Sequence, residues 1–202
     1  MATSCNTAAL YASLEYCKGE SLVPGVKTKV YAIAKKNIVT WPALADVADL
    51  TTGDKLEKVA TYDGDFTLAA DKKWVYIDTL DNSGEITWET QGDKPCRTFL
   101  NKFTINHPRI DGNAAGFQRM ALGDDLVYLV QQRDGKFRVL GNDKFDTDTK
   151  PKGSSGKEAT SAGDMGSQFE IEVTDVAPAP FYTGKIETED GDISGADGSS
   201  AA

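Results

Sequence analysis

The amino-acid sequence predicts a mostly β fold: an antiparallel β-sandwich or barrel with one short α-helix packed against it, a long extended loop and flexible termini. Three observations support this. Segments rich in Val, Ile, Thr, Tyr, Phe and Trp alternate apolar with polar residues, the period of a half-buried strand. Asp-Gly and Asp-Asn-Ser-Gly clusters separate several of them, which is the chemistry tight turns demand. A single stretch, following Asp111, carries apolar residues at helical spacing.

Residues 1–24 are weakly patterned and read as an N-terminal arm. The domain begins at Gly25, where Val26, Thr28, Val30 and Ala32 alternate with Lys27, Lys29, Tyr31 and Ile33. Residues 34–52 contain Trp41-Pro42 and read as a loop or a short broken helix, because Pro42 pushes Trp41 into an extended conformation. Three hairpins are then expected. Asp63-Gly64 suits a type I′ turn and would pair Tyr62 with Asp65, Thr61 with Phe66, Ala60 with Thr67 and Val59 with Leu68. Segments 74–80 and 85–90 flank the turn at 81–84. Segment 126–130 returns through Asp134-Gly135 as 137–140, with Val130 opposite Val139 and Leu129 opposite Leu140. This outgoing strand is apolar on both faces and should lie in the middle of a sheet.

Between the second and third hairpins come a strand at 98–105 and the helix. Asp111 caps it, Gly123 ends it, and Ala114, Phe117, Met120 and Ala121 share its apolar face. Residues 142–166 are polar and rich in Gly, Ser, Lys and Asp, and read as the long loop. The segment 168–173 alternates strictly and should close a sheet with one wet face. The domain therefore spans 25–182. Beyond it, residues 183–202 hold Glu187, Glu189, Asp190, Asp192 and Asp197 against Lys185 alone, and read as a flexible acidic tail that a partner would have to order.

Of 202 residues, 40% are hydrophobic and 26% charged, so one domain with a real core is affordable. A formal net charge of −9 argues against gripping nucleic acid through its phosphates. It suits solubility, or a surface along which DNA passes without adhering. Cys5, Cys17 and Cys96 show no C-x-x-C spacing, and no apolar stretch approaches the ~20 residues of a membrane span. The N-terminal residues lack the apolar run of a secretory signal, and the expectation is a chain made, and kept reduced, in a cytoplasm.

No residue is singled out as catalytic, cofactor-binding or metal-ligating, and no cofactor is expected. His107 is the only histidine and precedes Pro108 at a strand end, without a G-x-S-x-G elbow or a motif cysteine to serve. Asp124-Asp125 and Asp63/Asp65 fall where turns require Asp. Asp143, Asp146 and Asp148, like Asp190, Asp192 and Asp197, depart from EF-hand spacing and read as solvated. Gly112 to Gly116 and Gly153 to Gly156 open no phosphate loop. Trp41, Trp74, Trp88, Phe99 and Phe103 read as core or subunit-interface anchors rather than platforms for bases.

Two stretches carry a family resemblance. The run Gly-Asp-Asp-Leu-Val-Tyr-Leu-Val-Gln-Gln-Arg-Asp-Gly-Lys-Phe-Arg-Val-Leu-Gly-Asn at 123–142 resembles the hairpin after the helix in bacteriophage tail tube proteins. The run Phe-Glu-Ile-Glu-Val-Thr-Asp-Val-Ala-Pro-Ala-Pro-Phe-Tyr at 169–182 resembles their closing strand. The layout over 25–182 is similar too. This resemblance implies a virion structural protein without enzymatic activity. It implies hexameric rings that stack through the long loop and the termini into a tail tube, beside other virion proteins. DNA would pass through the lumen without tight binding, and no membrane would be involved. A head-decoration or head-to-tail connecting protein suits the same features, as does a carbohydrate- or ligand-binding β-sandwich module.

Overall fold

The computed structural model describes residues 22–51, 54–154 and 166–199, together with residues 14 and 19. Its central strand, β8, explains the layering. Elements in chain order are β1 (Val26–Ala34), β2 (Ile38–Thr40), β3 (Thr61–Tyr62), β4 (Thr67–Leu68), β5 (Val75–Asp78), β6 (Glu85–Gln91) and β7 (Thr98–His107). There follow α1 (Gly112–Ala121), β8 (Leu126–Gln132), β9 (Phe137–Leu140), β10 (Thr147–Ser154), β11 (Gly166–Asp175), β12 (Phe181–Tyr182), β13 (Lys185–Thr188) and β14 (Gly191–Ser194). The protein is mostly β and sandwich-like, and the described residues form no closed barrel.

A six-stranded sheet runs β3-β12-β9-β8-β1-β5 and a four-stranded sheet runs β10-β11-β7-β6. Strand β8 is buried along both faces, as its continuous apolar run demands. Leu126, Tyr128 and Val130 point into the core shared with the four-stranded sheet, where Phe103, Ile105, Phe169, Ile171 and Val173 face them. Val127 and Leu129 point the other way, into a second core with Tyr31, Phe66, Trp74, Phe137, Tyr182 and Ile186. That second core is closed by irregular chain, by the β2–β4 ribbon and by the β13–β14 hairpin. The six-stranded sheet is thus the middle of three layers.

Helix α1 starts where Asp111 Oδ1 accepts the Ala114 N–H at 2.9 Å, as expected of an N-cap, and this bond lowers the Asp111 carboxyl below its ordinary value. Ala114 and Ala121 are buried, and Phe117 stands edge-on to Phe169 at 5.7 Å. Met120 belongs to the solvent side instead, at the margin of the helical stripe.

The expected hairpins differ from the observed pairing in instructive ways. The chain bends at Gly64, but Asp63 bridges Ala43, β3 pairs parallel with β12 and β4 pairs with β2. Tyr62 and Phe66 both enter the aromatic cluster around Tyr182, and a tight two-residue hairpin would have placed them on opposite faces. Strands β5 and β6 lie where expected, but they join different sheets: β5 pairs with β1 and β6 with β7. In the third hairpin Val130 faces Arg138 and Leu129 faces Val139, one residue from the expected register. Arg133 joins Asp134 and Gly135 (φ 98°) in a three-residue turn, closed by Gln132 N bonding Lys136 O at 2.8 Å.

Two segments are more ordered than their composition suggested. The first part of the expected loop 142–166 is β10, whose Thr147 and Thr149 are buried; residues 155–165 lie outside the described residues. The expected flexible tail is the β13–β14 hairpin, with Ile186 wholly buried. Trp74 N donates to Glu187 O at 2.9 Å, and Gln131 Nε2 donates to Asp197 O at 3.3 Å, tying the tail to the domain. Its acidic residues sit on the outward face, so composition concealed a period-two pattern around Ile186 and Ile193. The domain accordingly extends past 182. Most of the expected N-terminal arm, with Cys5 and Cys17, lies outside the described residues.

Candidate functional site

Residues weighed for chemistry in the sequence make the following contacts. His107 Nδ1 donates to the Asp78 carbonyl at 2.7 Å, joining the end of β7 to β5. Asp125 pairs with Lys35 at 3.2 Å and Asp124 with Lys36 at 2.6 Å, which fastens the α1–β8 junction to the end of β1. Asp65 Oδ1 accepts the Lys185 N–H at 2.7 Å. Among the described residues, no group of three or more His, Cys, Asp or Glu side chains is arranged to hold a metal ion. No described helix is long and apolar enough to cross a membrane.

The aromatic residues divide between core and surface. Trp74 is fully buried and edge-on to Phe66 at 5.4 Å, and Phe103 is buried between the sheets. Trp41 also stands edge-on to Phe66, at 5.3 Å, and is half-buried. Trp88 is different. It lies on β6, the outermost strand of the four-stranded sheet, and is 48% exposed, with the Arg138 guanidinium 5.6 Å from its ring. No described strand continues the sheet beyond β6, so its outer backbone groups are open. The opposite edge, β10, carries Pro151, which has no N–H to offer. The six-stranded sheet ends at β5, where Val75 and Tyr76 are exposed.

The outer face of the four-stranded sheet follows from register. Glu85, Thr87, Glu89 and Gln91 of β6 stand beside Thr104, Lys102, Leu100 and Thr98 of β7. Glu170 and Glu172 of β11 lie next, followed by Lys150 and Asp148 of β10. Ion pairs cross the strands: Lys102–Glu89 at 2.6 Å, Lys150–Glu172 at 2.5 Å and Lys152–Glu170 at 2.5 Å. Each is worth only about 0–1 kcal/mol at such exposure. Glu85 and Asp148 leave carboxylates in excess over lysines, so this surface is mildly acidic.

One functional candidate escaped the sequence reading. Asp175 is 2% exposed; its Oδ1 accepts the Val176 N–H at 2.6 Å, and the Asn142 side chain and the Ala177 N–H are also directed at its carboxyl. Burial pushes its carboxyl above the ordinary value of 3.8. The signal was present: Ser167, Phe169, Ile171 and Val173 point inward, and the same period carries Asp175 inward. Asp175 forms part of a cleft of about 420 Å³ between segment 41–47 and the loop after β9.

Comparisons with protein-family models, with curated proteins and with solved structures return no match.

Proposed function

We propose that this chain is a structural subunit that assembles with copies of itself, in stacked rings that form the tube of a bacteriophage tail. The observation that carries this reading is the open edge of β6, seven residues long with a half-exposed tryptophan. Such an edge is a template for pairing with another chain, and soluble monomers blunt it with charge, proline or a covering element. β10 carries Pro151, whereas β6 has no proline and, beside Glu85 and Glu89, presents the half-exposed Trp88. The acidic outer face of the same sheet supports a lumen through which DNA moves, because its carboxylates repel phosphates and its lysines are engaged in ion pairs. Assembly, the tube and the virion location rest on this geometry and on the resemblance of 123–142 and 169–182.

Negative-stain microscopy of the purified chain tests the reading. Rings or tubes are expected, and Trp88→Lys, which places a charge on the open edge, should leave folded monomers. Dispersed single particles at every concentration, or rings unaffected by Trp88→Lys, would argue against edge pairing.

A further inference from the structure

The outer edges of the two main sheets are not alike. β3 is only two residues long. On β5, Thr79 N bonds Thr28 O at 2.7 Å, so Trp74, Tyr76 and Asp78 turn their backbone outward. Trp74 N–H is taken by Glu187 O and Asp78 O by His107, which leaves Tyr76 alone fully open. On β10, the outward Thr147 N–H goes to Asp125 Oδ1 and Pro151 has no N–H. Because Pro151 cannot donate to β11, its backbone faces outward, and alternation through β11 and β7 turns the even-numbered residues of β7 towards β6. Leu80, which leads into β6, agrees: its N–H bonds Asn106 O at 2.8 Å. Glu85, Thr87, Glu89 and Gln91 therefore bond β7, whereas Ile86, Trp88 and Thr90 present three N–H and three C=O groups to the open side. No described residue satisfies these groups.

We propose that β6 pairs antiparallel with β6 of a second copy, about a two-fold axis beside Trp88. This names the partner strand for the edge pairing proposed above and rests on that reading. Trp88 is the middle residue of β6, so the open groups lie symmetrically about it. Trp88 meets the second copy's Trp88, Ile86 meets its Thr90, and Thr90 meets its Ile86, so every open group finds a partner. Two four-stranded sheets become one continuous sheet. Charge selects this register. On the outer face Glu85 stands opposite the second copy's Gln91, and Glu89 opposite its Thr87. A shift of two residues one way sets Glu85 against Glu89, and the other way sets Glu89 against itself; like charges directly opposite destabilise a ladder. On the inner face each half-exposed Trp88 gains the other as its cross-strand neighbour. A two-fold contact closes on itself, so it links chains in pairs, and a larger assembly joins those pairs through other surfaces.

The test mixes isotopically light and heavy full-length chains that carry the photoreactive p-benzoylphenylalanine in place of Trp88, irradiates them and maps the adducts by mass spectrometry. Adducts between light and heavy chains are expected, joining position 88 to the segment Glu85–Gln91 of the other copy. Sedimentation across a dilution series reads the register. Thr87 is exposed and faces the second copy's Glu89 twice per pair, so Thr87→Glu should weaken association about tenfold and Thr87→Lys should strengthen it severalfold. The same charges at Thr98, on β7 and one strand in from the edge, should change it less than about twofold. Adducts that map outside β6, Thr87→Glu and Thr87→Lys moving association the same way, or equal effects at Thr98 would overturn this pairing and leave self-assembly standing. A single chain at every concentration would overturn both.

Discussion

The two faces of the six-stranded sheet solve the same problem by different means. One face meets a second sheet, so its core is built from regular alternation on both sides, with Tyr128 and Val130 against Phe103 and Ile171. The other meets irregular chain, the β2–β4 ribbon and the terminal hairpin, and it gathers aromatic residues that tolerate an uneven lid: Trp41, Phe66, Trp74 and Tyr182. Large rings fill irregular space through tilted and edge-on contacts, whereas aliphatic side chains pack best between matched pleats. Both faces are needed, because β8 is apolar on each.

If the two layers are equally structural, truncation should hurt in both. Phe103→Ala, between the sheets, should cost about 4 kcal/mol, and Ile186→Ala, under the terminal hairpin, about 3 kcal/mol. Urea midpoints measure both. An Ile186→Ala variant as stable as the native chain would reduce the terminal hairpin to an appendage.

Gly135 joins the comparison, because it connects the regular hairpin to the tail. Its φ of 98° suits glycine, and a Cβ there would meet Asp197 O at 3.0 Å. Gly135→Ala should therefore cost about 1–3 kcal/mol through backbone strain. Deleting residues 197–202, which leaves β13 and β14 in place, should relieve the Asp197 contact but not the φ penalty, so the double variant separates the two contributions.

The regular layer was the legible one. Strands β1, β7, β8 and β11 were readable from alternation, and α1 from Asp111 and its apolar spacing, because period and capping are local properties. Partner choice was not local. Segments 74–80 and 85–90 look like a hairpin by turn chemistry, yet the connection crosses between sheets, with Leu80 N bonding Asn106 O at 2.8 Å. The tail was misjudged because net acidity outweighed a short alternating pattern whose inward residue, Ile186, contacts chain more than a hundred residues away. Asp175 was overlooked for a related reason: a carboxylate at an inward position looks like the end of a strand, and only tertiary burial makes it exceptional.

Asp175 also gives the acid behaviour a sign. Burial raises its folded carboxyl above 3.8, so the native state holds this proton more readily than the unfolded chain. Its contribution to stability is present below the unfolded value and is lost as pH rises through the raised folded value. Asp175→Asn should flatten that part of the stability–pH curve and raise the urea midpoint at neutral pH. A steeper curve, or a lower neutral midpoint, would indicate that the carboxylate is paid for by a partner within the fold.

The central claim is that the open β6 edge is completed by another copy of the chain. Light scattering coupled to size exclusion measures this most directly as solution mass. The account predicts a species many times the 21.7 kDa chain mass, reduced to a single chain by Trp88→Lys. A native chain that elutes at one chain mass at every concentration would contradict it.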